Sequence, residues 1–146
     1  MPAIDVVSDA NVALKWFLSA EEEQVGEARE LLHLHRDRRV LLHVLDLTLY
    51  EVGNALLRGR APASAEQTAV VITALQEICV VLTPTAEQLT LACEVATDHE
   101  LTLYDATYVA VAVTHRARLV TLDHEILHSG RASTPGQLVR DVAAEG

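Results

Sequence analysis

Four short apolar segments, separated by helical sequence, constrain the fold of this chain more than any other feature. The predicted strands cover residues 4–7, 40–44, 79–82 and 118–122. Strands that alternate with helices are typical of βαβ units, in which the strands run parallel and helices cover both faces of the sheet. The segments also lack a clear alternation of apolar and polar residues, which favours a sheet buried on both sides. We therefore expect an α/β fold built on a parallel sheet.

The predicted helices occupy the intervals between the strands and the end of the chain. They cover residues 12–18, 21–35, 46–59, 64–77, 85–99, 103–115, 123–127 and 134 onward. Glu21, Glu22 and Glu23 open the second helix, where acidic side chains favour the helix dipole. Ser64 is expected to cap the fourth helix. No repeat, low-complexity tract or linker interrupts this pattern, so residues 1–146 are expected to form a single domain.

Length and hydrophobicity are those of one compact domain. A chain of 146 residues, half of them hydrophobic, can bury roughly two-thirds of the surface that it exposes when unfolded. No apolar run approaches the roughly 20 residues that a bilayer requires, and no basic region or cleavage site of a secretion signal is present. We expect a cytoplasmic protein without membrane contact, in which Cys79 and Cys93 are reduced core residues.

The formal net charge of −10 limits the ways in which this chain can bind nucleic acid. A protein that binds nucleic acid mainly through phosphate contacts is normally basic, whereas Lys15 is the only lysine here and arginine occurs ten times. The charge therefore argues against a general nucleic-acid binder. It remains compatible with an enzyme whose metal ions neutralise the site, with a basic protein partner, and with solubility alone.

Four carboxylates stand where strands end or helices begin, and they are the candidate site. Asp9 follows the first strand and Asp123 follows the fourth, so both should lie at the carboxyl edge of the sheet, where ligands gather. Asp105 begins an apolar helix, and Glu51 lies in a helix whose apolar residues suggest an inward face. Carboxylates that are forced together repel each other unless a cation compensates. Mg²⁺ and Mn²⁺ are the natural candidates because hard ions prefer oxygen ligands.

Such a site can hydrolyse a phosphodiester, because a bound ion activates a water molecule and a second ion can stabilise the leaving oxygen. Each acid also has a purely structural interpretation. Asp9 and Asp123 could cap the helices that follow them, Asp105 could favour a helix dipole, and Glu51 could pair with Arg58. If all four structural interpretations held at once, the common placement of these acids would be a coincidence.

Three polar residues are candidates for support of the acids. Asn54 follows Glu51 by one helical turn and could orient its carboxylate. Thr121 precedes Asp123 by two positions and could donate a hydrogen bond from the same edge, and Asn11 could order water near the first acid. A loop contact or turn chemistry would explain the two asparagines equally well.

Two further interpretations concern basic side chains. His33 and His35 lack additional metal ligands and are expected on an exposed helix surface. The candidate phosphate contacts are Arg58, Arg60, Arg116 and Arg118.

With these motifs, the chain resembles the PIN-domain ribonucleases, particularly VapC-type toxins of bacterial and archaeal toxin–antitoxin pairs. The resemblance extends from VVSDANVALKWFL through LTLYEVGNALLRG and LTLYDATYVAVA to RLVTLDHEIL. It implies a three-layer α/β/α sandwich with a central, mostly parallel sheet. It also implies a metal-dependent endoribonuclease in which Asp9, Glu51, Asp105 and Asp123 form the site and bind Mg²⁺ or Mn²⁺. A proline that often precedes the glutamate in this family is absent here.

The same resemblance implies partners: an RNA substrate, a second copy of the chain in a homodimer, and a cognate antitoxin. The antitoxin would hold the toxin inactive, with its C-terminal segment over the toxin and directed toward the active site. Few aromatic residues (five in the chain) are available to stack bases, so selectivity would come from RNA shape and local contacts.

Other classes of protein also place an aspartate at the end of a strand. A phospho-accepting receiver domain needs adjacent acids near the first strand and a lysine after the last, whereas Lys15 lies in the first helix. A haloacid-dehalogenase-type phosphatase needs Asp-x-Asp, whereas this chain has Asp9, Ala10 and Asn11. A catalytically idle PIN-like module that only binds a protein is a further alternative, against which the four retained acids argue.

Overall fold

A single sheet of four parallel strands organises the computed structural model, which describes residues 2–18 and 24–145. The strands are β1 (Ile4–Ser8), β2 (Val40–Leu45), β3 (Val80–Leu82) and β4 (Arg118–Val120), in the spatial order β3-β2-β1-β4. All three pairings are parallel, with β1 at the centre between β2 and β4. The predicted parallel sheet is confirmed.

Helices fill the connections, as the alternation of strand and helix patterns predicted. They are α1 (Ala10–Lys15), α2 (Val25–Arg36), α3 (Asp46–Arg58), α4 (Ala65–Ile78), α5 (Ala86–His99), α6 (Leu103–Thr114), α7 (His124–His128) and α8 (Pro135–Glu145). Ser64 caps α4 as expected, because its hydroxyl accepts a hydrogen bond from the Gln67 N–H. The expected start of the second helix at Glu21 lies outside the described residues. Within those residues, no helix has the length and apolar character that crossing a bilayer requires.

The apolar side chains form two cores, one on each face of the sheet. Val6 and Val7 are neighbours in β1, and both are fully buried, because successive side chains of a strand point to opposite faces. Val6 packs in a cluster with residues of α1, α2, α3, α4 and α8. Val7 packs in a second cluster with residues of α5, α6 and α7. The sheet is therefore buried on both sides, and the expected α/β/α sandwich is confirmed.

Strand β4 ends at Val120, two residues before the predicted end at position 122. The N–H of Thr121 donates to the carbonyl of Ser133 at 3.0 Å, in an isolated parallel bridge that pairs Val120 with Ser133. Thr121 lies just beyond the end of β4, at the carboxyl edge of the sheet. The N–H of Asp9 donates to the Val120 carbonyl at 3.0 Å and ties the end of β1 to the end of β4.

Two interpretations of individual side chains were wrong. Cys79 is buried as expected, but Cys93 is exposed on α5 and is not a core residue. His33 is exposed as expected, whereas His35 is half-buried. The ring of His35 accepts a hydrogen bond from the Leu42 N–H at 3.2 Å and donates from its other nitrogen to the Ile78 carbonyl at 2.9 Å. It therefore links α2 to β2 and to the end of α4.

Candidate metal centre

One pocket at the carboxyl edge of the sheet collects the four acids that the sequence singled out. Asp9, Glu51, Asp105 and Asp123 line this pocket, whose volume is about 250 Å³. They come from the end of β1, the middle of α3, the first turn of α6 and the segment after β4. The remaining lining residues are Ala10, Asn11, Leu14, Val52 and Ala55. Four segments that are distant in sequence thus contribute one carboxylate each. We call this the acidic pocket.

Asp9 is the most enclosed of the four acids, with 5% of its surface exposed. Its Oδ1 accepts the Ala10 N–H at 2.7 Å, which caps α1, and its Oδ2 accepts the Thr121 hydroxyl at 2.7 Å and the Asn11 amide at 3.3 Å. Burial raises the pKa of Asp9 to about 6, the hydrogen bonds oppose this rise, and the carboxylates of Glu51 and Asp105 add to it. Asp9 therefore caps α1 and lines the acidic pocket at the same time.

Thr121 and Asn11 lie where the sequence placed them and join the ends of β1 and β4. The Thr121 hydroxyl donates to Asp9 and accepts the Asp123 N–H at 3.0 Å, so one buried side chain positions two of the acids. The side-chain Oδ1 of Asn11 accepts the Leu122 N–H at 3.1 Å, which fixes the side-chain amide group that faces Asp9. A change at Thr121 would therefore alter both sides of the acidic pocket.

Glu51 is held by a chain of hydroxyl groups that sequence reasoning missed. The Leu45 N–H donates to the Thr48 hydroxyl at 3.0 Å, which donates to the Tyr108 hydroxyl at 2.8 Å, which donates to Glu51 Oε1 at 2.7 Å. The last bond sets the direction of the others, because an ionised carboxylate can only accept. Burial raises the pKa of Glu51, the Tyr108 hydrogen bond lowers it, and Asp105 raises it further. Burial also raises the pKa of Tyr108, which keeps this phenol a neutral donor.

Asn54 does not lie where the sequence suggested. It is exposed, and it lines a separate groove between α3 and α4 together with Tyr50. Among the described residues, it makes no hydrogen bond to Glu51. The reason is the rotation of α3 about its axis: Gly53 packs against α4 so closely that a Cβ there would lie 3.0 Å from Ile72 Cδ1. Tyr108 takes the role that was expected of Asn54.

A fifth acid, Glu125, lies beside the acidic pocket on its exposed side. Ligand oxygens of Asp105, Asp123 and Glu125 all lie within 4.8 Å of one another. Burial raises the pKa of Asp105, the neighbouring Asp123 raises it further, the Thr102 hydrogen bond lowers it, and Glu125 raises it again. Asp123 also caps α7, because its Oδ1 accepts the N–H groups of Glu125 and Ile126. The spacing of two residues between Asp123 and Glu125 was the signal that could have identified the fifth acid.

The acidic pocket fits a hard divalent cation. Its candidate ligands are carboxylate oxygens, and neither histidine nor cysteine is among the residues that line it, which is the donor set of Mg²⁺ or Mn²⁺ rather than of Zn²⁺. The raised pKa values of Asp9, Glu51 and Asp105 mean that negative charge is unfavourable here when no cation compensates it. Asp9, Glu51, Asp105 and Asp123 are the residues that could hold such an ion.

The fold and the acidic pocket define a class: α/β/α domains that carry several carboxylates at the carboxyl edge of a parallel sheet. The chain belongs to the PIN domain family, whose model matches residues 6–131. The predicted family is therefore confirmed. No curated protein sequence matches the chain significantly.

Solved structures with the same fold include proteins of toxin–antitoxin systems. A protein from Pyrobaculum aerophilum is 26% identical with a TM-score of 0.72, over 97% of this chain and 98% of that chain. The toxin–antitoxin complex from Klebsiella pneumoniae is 18% identical with a TM-score of 0.69, over 89% of this chain and 97% of that one. VapC20 of Mycobacterium tuberculosis, a toxin that cleaves the sarcin–ricin loop, is 18% identical with a TM-score of 0.68, over 87% and 96%. At these identities, the last two establish similarity of fold.

Proposed function

We propose that this chain is a metal-dependent endoribonuclease that hydrolyses RNA phosphodiester bonds, with one domain over residues 1–146 that acts in the cytoplasm. The observation that carries the proposal is the acidic pocket, in which four segments of a PIN-domain chain each contribute a carboxylate. Asp9, Glu51, Asp105 and Asp123 would hold Mg²⁺ or Mn²⁺. The cleavage of the sarcin–ricin loop by VapC20, which shares the fold, supports RNA as the substrate class.

The chain's own residues prepare the acidic pocket for this chemistry. When bound, the ion would supply Lewis acidity, which stabilises charge on the phosphodiester and promotes ionisation of an attacking water. Thr121 and Asn11 orient the Asp9 carboxylate, and Tyr108 orients that of Glu51. Because both acids are fixed by hydrogen bonds before any ligand arrives, little reorganisation is needed for an ion to bind.

The acidic surface restricts where RNA can contact the protein. With a net charge of −10, phosphate groups are repelled over most of the surface, and cations at the acidic pocket would provide local attraction. Arg118 does not serve as a free phosphate contact, because it binds Asp141 at 2.7 Å and Ser133 at 2.8 Å. Arg58 and Arg60 are exposed at the end of α3, the helix that carries Glu51, and they remain candidates.

The proposed biological role is the toxin of a type II toxin–antitoxin pair, controlled by a cognate antitoxin and assembled as a homodimer. Its structural similarity to a toxin–antitoxin complex supports the antitoxin. So does an open groove between α3 and α4, beside the helix that carries Glu51, where Leu49, Tyr50 and Leu57 offer an apolar surface. Tyr50 is 77% exposed, which is unusual for an aromatic side chain without a partner. The acidic net charge suits a basic antitoxin.

The test is RNA cleavage by the purified protein with Mg²⁺ or Mn²⁺, compared with the variants Asp9→Asn and Asp105→Asn. Removal of a direct ligand should lower the cleavage rate by about 100-fold or more, since mutation of a residue that only supports a ligand already lowers metal affinity or activity by roughly 10–100-fold. Asp98→Asn is the matched control, because Asp98 is exposed on α5 outside the acidic pocket. Cleavage by both variants at the parent rate would overturn the proposal.

Experiments on the same purified protein also distinguish the two alternative functions, an idle interaction module and a receiver domain. An idle interaction module would leave RNA intact with either ion, although calorimetry could still detect metal binding. A receiver domain would become phosphorylated by acetyl phosphate at an aspartate.

A further inference from the structure

A group of histidines lies outside the acidic pocket, at the C-terminal end of α5 and on α7. His99, Glu100, His124, Glu125 and His128 line a surface pocket of about 330 Å³. Three of the seven histidines of the chain therefore face one pocket. Imidazole is a preferred ligand of Zn²⁺ and similar ions, whereas Mg²⁺ prefers oxygen. We propose that His99, His124 and His128 form a binding site for a transition-metal ion such as Zn²⁺, separate from the acidic pocket.

The spacing of two of these residues on α7 is the first argument. His124 and His128 are four positions apart in a helix that spans His124–His128, so their side chains lie on the same face. The sequence His-Glu-x-x-His is the spacing at which helical histidine pairs bind Zn²⁺. The helix is fixed in place because its own residue Ile126 is fully buried in the core and Asp123 caps its first turn. Both rings are therefore presented from a fixed backbone.

The end of α5 supplies the third ligand. His99 is the last residue of α5, and Glu100 follows in the left-handed conformation with φ 54°, its N–H donating to the Ala96 carbonyl. This turn ends the helix, and His99 and Glu100 line the same surface pocket as the histidine pair. Three imidazoles with a carboxylate at the fourth position make a tetrahedral donor set that suits Zn²⁺. Glu100 offers that carboxylate.

Glu125 distinguishes this site from a hydrolytic zinc centre. In metalloproteases, the glutamate between the two histidines acts as general base. Here the Glu125 carboxylate lies within 4.8 Å of ligand oxygens of Asp105 and Asp123, at the exposed side of the acidic pocket. The inference is therefore ion binding without a hydrolytic step. Glu125 lies between two sites with different donor chemistry, oxygen on one side and imidazole on the other.

The imidazoles must rotate to close on an ion. Among residues 2–18 and 24–145, the group of ligand atoms within 4.8 Å of one another is the acidic one. The side chains of His124 and His128 are exposed, so their rotation costs side-chain entropy and no core packing. We therefore expect a roughly micromolar dissociation constant, weaker than that of a preformed structural zinc site.

Calorimetric titration of tag-free protein with Zn²⁺, in excess Mg²⁺ to saturate the acidic pocket, tests the inference. The parent should bind one ion, and both His99→Asn and His128→Asn should bind it at least about tenfold more weakly. His115→Asn is the control, because His115 is exposed at the end of α6 and lines neither pocket. Substitution by Co²⁺ should give the intense visible absorption of tetrahedral coordination, and both histidine variants should lose it.

Failure of this site can be distinguished from failure of the proposed nuclease. The readout is ion binding, so it does not depend on RNA cleavage, and Asp9→Asn combined with Asp105→Asn should bind Zn²⁺ as the parent does. Circular dichroism checks that each variant is folded. Absence of Zn²⁺ binding by the parent would overturn the inference, and so would parent-like affinity in either histidine variant.

Discussion

Replacement of Asp9 by asparagine should stabilise the folded protein when no divalent ion is present. Burial of this carboxylate raises its pKa from 3.8 to about 6. An acid with a higher pKa in the folded than in the unfolded state binds more protons when folded, so the free energy of unfolding falls as pH rises through the window from about 4 to about 6. The shift of about two pKa units corresponds to a loss of about 3 kcal/mol at neutral pH.

Asparagine removes this penalty but loses hydrogen bonds. The side-chain oxygen of the asparagine can still accept the Ala10 N–H. Its NH₂ group takes the place of Oδ2, the oxygen that accepts hydrogen bonds from Thr121 and Asn11 in the parent. Weakening of these two bonds costs about 1–2 kcal/mol. The net gain for Asp9→Asn at pH 7.5 is therefore about 1–2 kcal/mol, and it should become a loss near pH 4.5, where most of the charge penalty is absent.

Urea unfolding of parent and variant with a chelator, at pH 4.5 and pH 7.5, measures this difference. Over this range, the free energy of unfolding of the parent should fall about 2 kcal/mol further than that of the variant. At pH 7.5, Mg²⁺ should stabilise the parent and leave Asp9→Asn nearly unchanged. Asp98→Asn, on the exposed face of α5, should follow the parent. A difference between parent and variant that is the same at both pH values would refute the reasoning.

Three further changes test the supports of the acidic pocket and one arginine. Tyr108→Phe removes the donor to Glu51, so calorimetry should show about tenfold weaker metal binding and urea unfolding a loss of about 1–2 kcal/mol; parent-like values in both would contradict this role. Thr121→Val removes the hydroxyl that donates to Asp9 and should weaken metal binding about tenfold, whereas Thr121→Ser should retain it. Arg118→Gln should leave the midpoint of urea unfolding close to that of the parent, because its ion pair is exposed to solvent, and RNA cleavage should not change; a slower rate would restore a substrate role.

The positions of Asp9, Asp105 and Asp123 could be predicted because local sequence determines them. Asp9 and Asp123 follow apolar strands, and parallel strands end at one edge of a sheet, so no knowledge of the packing was needed. Asp105 begins a helix whose apolar character is evident from the sequence. The same reasoning predicted Thr121, because it precedes an acid at the end of a strand.

The supports of Glu51 could not be predicted, because they depend on packing between distant segments. Tyr108 lies within the apolar helix α6 and is indistinguishable in sequence from a core residue. Its function arises only where α6 meets α3 and brings its hydroxyl between Thr48 and Glu51. The prediction that Asn54 orients Glu51 was wrong for a related reason. Helical spacing determines which residues share a face, whereas the close packing of Gly53 on α4 determines the direction of that face.

The carboxylates of the acidic pocket differ in how firmly they are held, and this difference bears on how an ion and a substrate would share the site. Asp9 and Glu51 each accept a hydrogen bond from a buried hydroxyl group, and the pKa of Asp9, about 6, leaves it ionised at neutral pH. Asp105 and Asp123 lie on the more exposed side, next to Glu125. An ion would thus meet two carboxylates, Asp9 and Glu51, that are already fixed by hydrogen bonds from buried hydroxyl groups. Asp105 can exchange contacts as a phosphate enters, because its side chain rearranges without disturbing the core, whereas Asp123 keeps one oxygen on the N–H groups of Glu125 and Ile126.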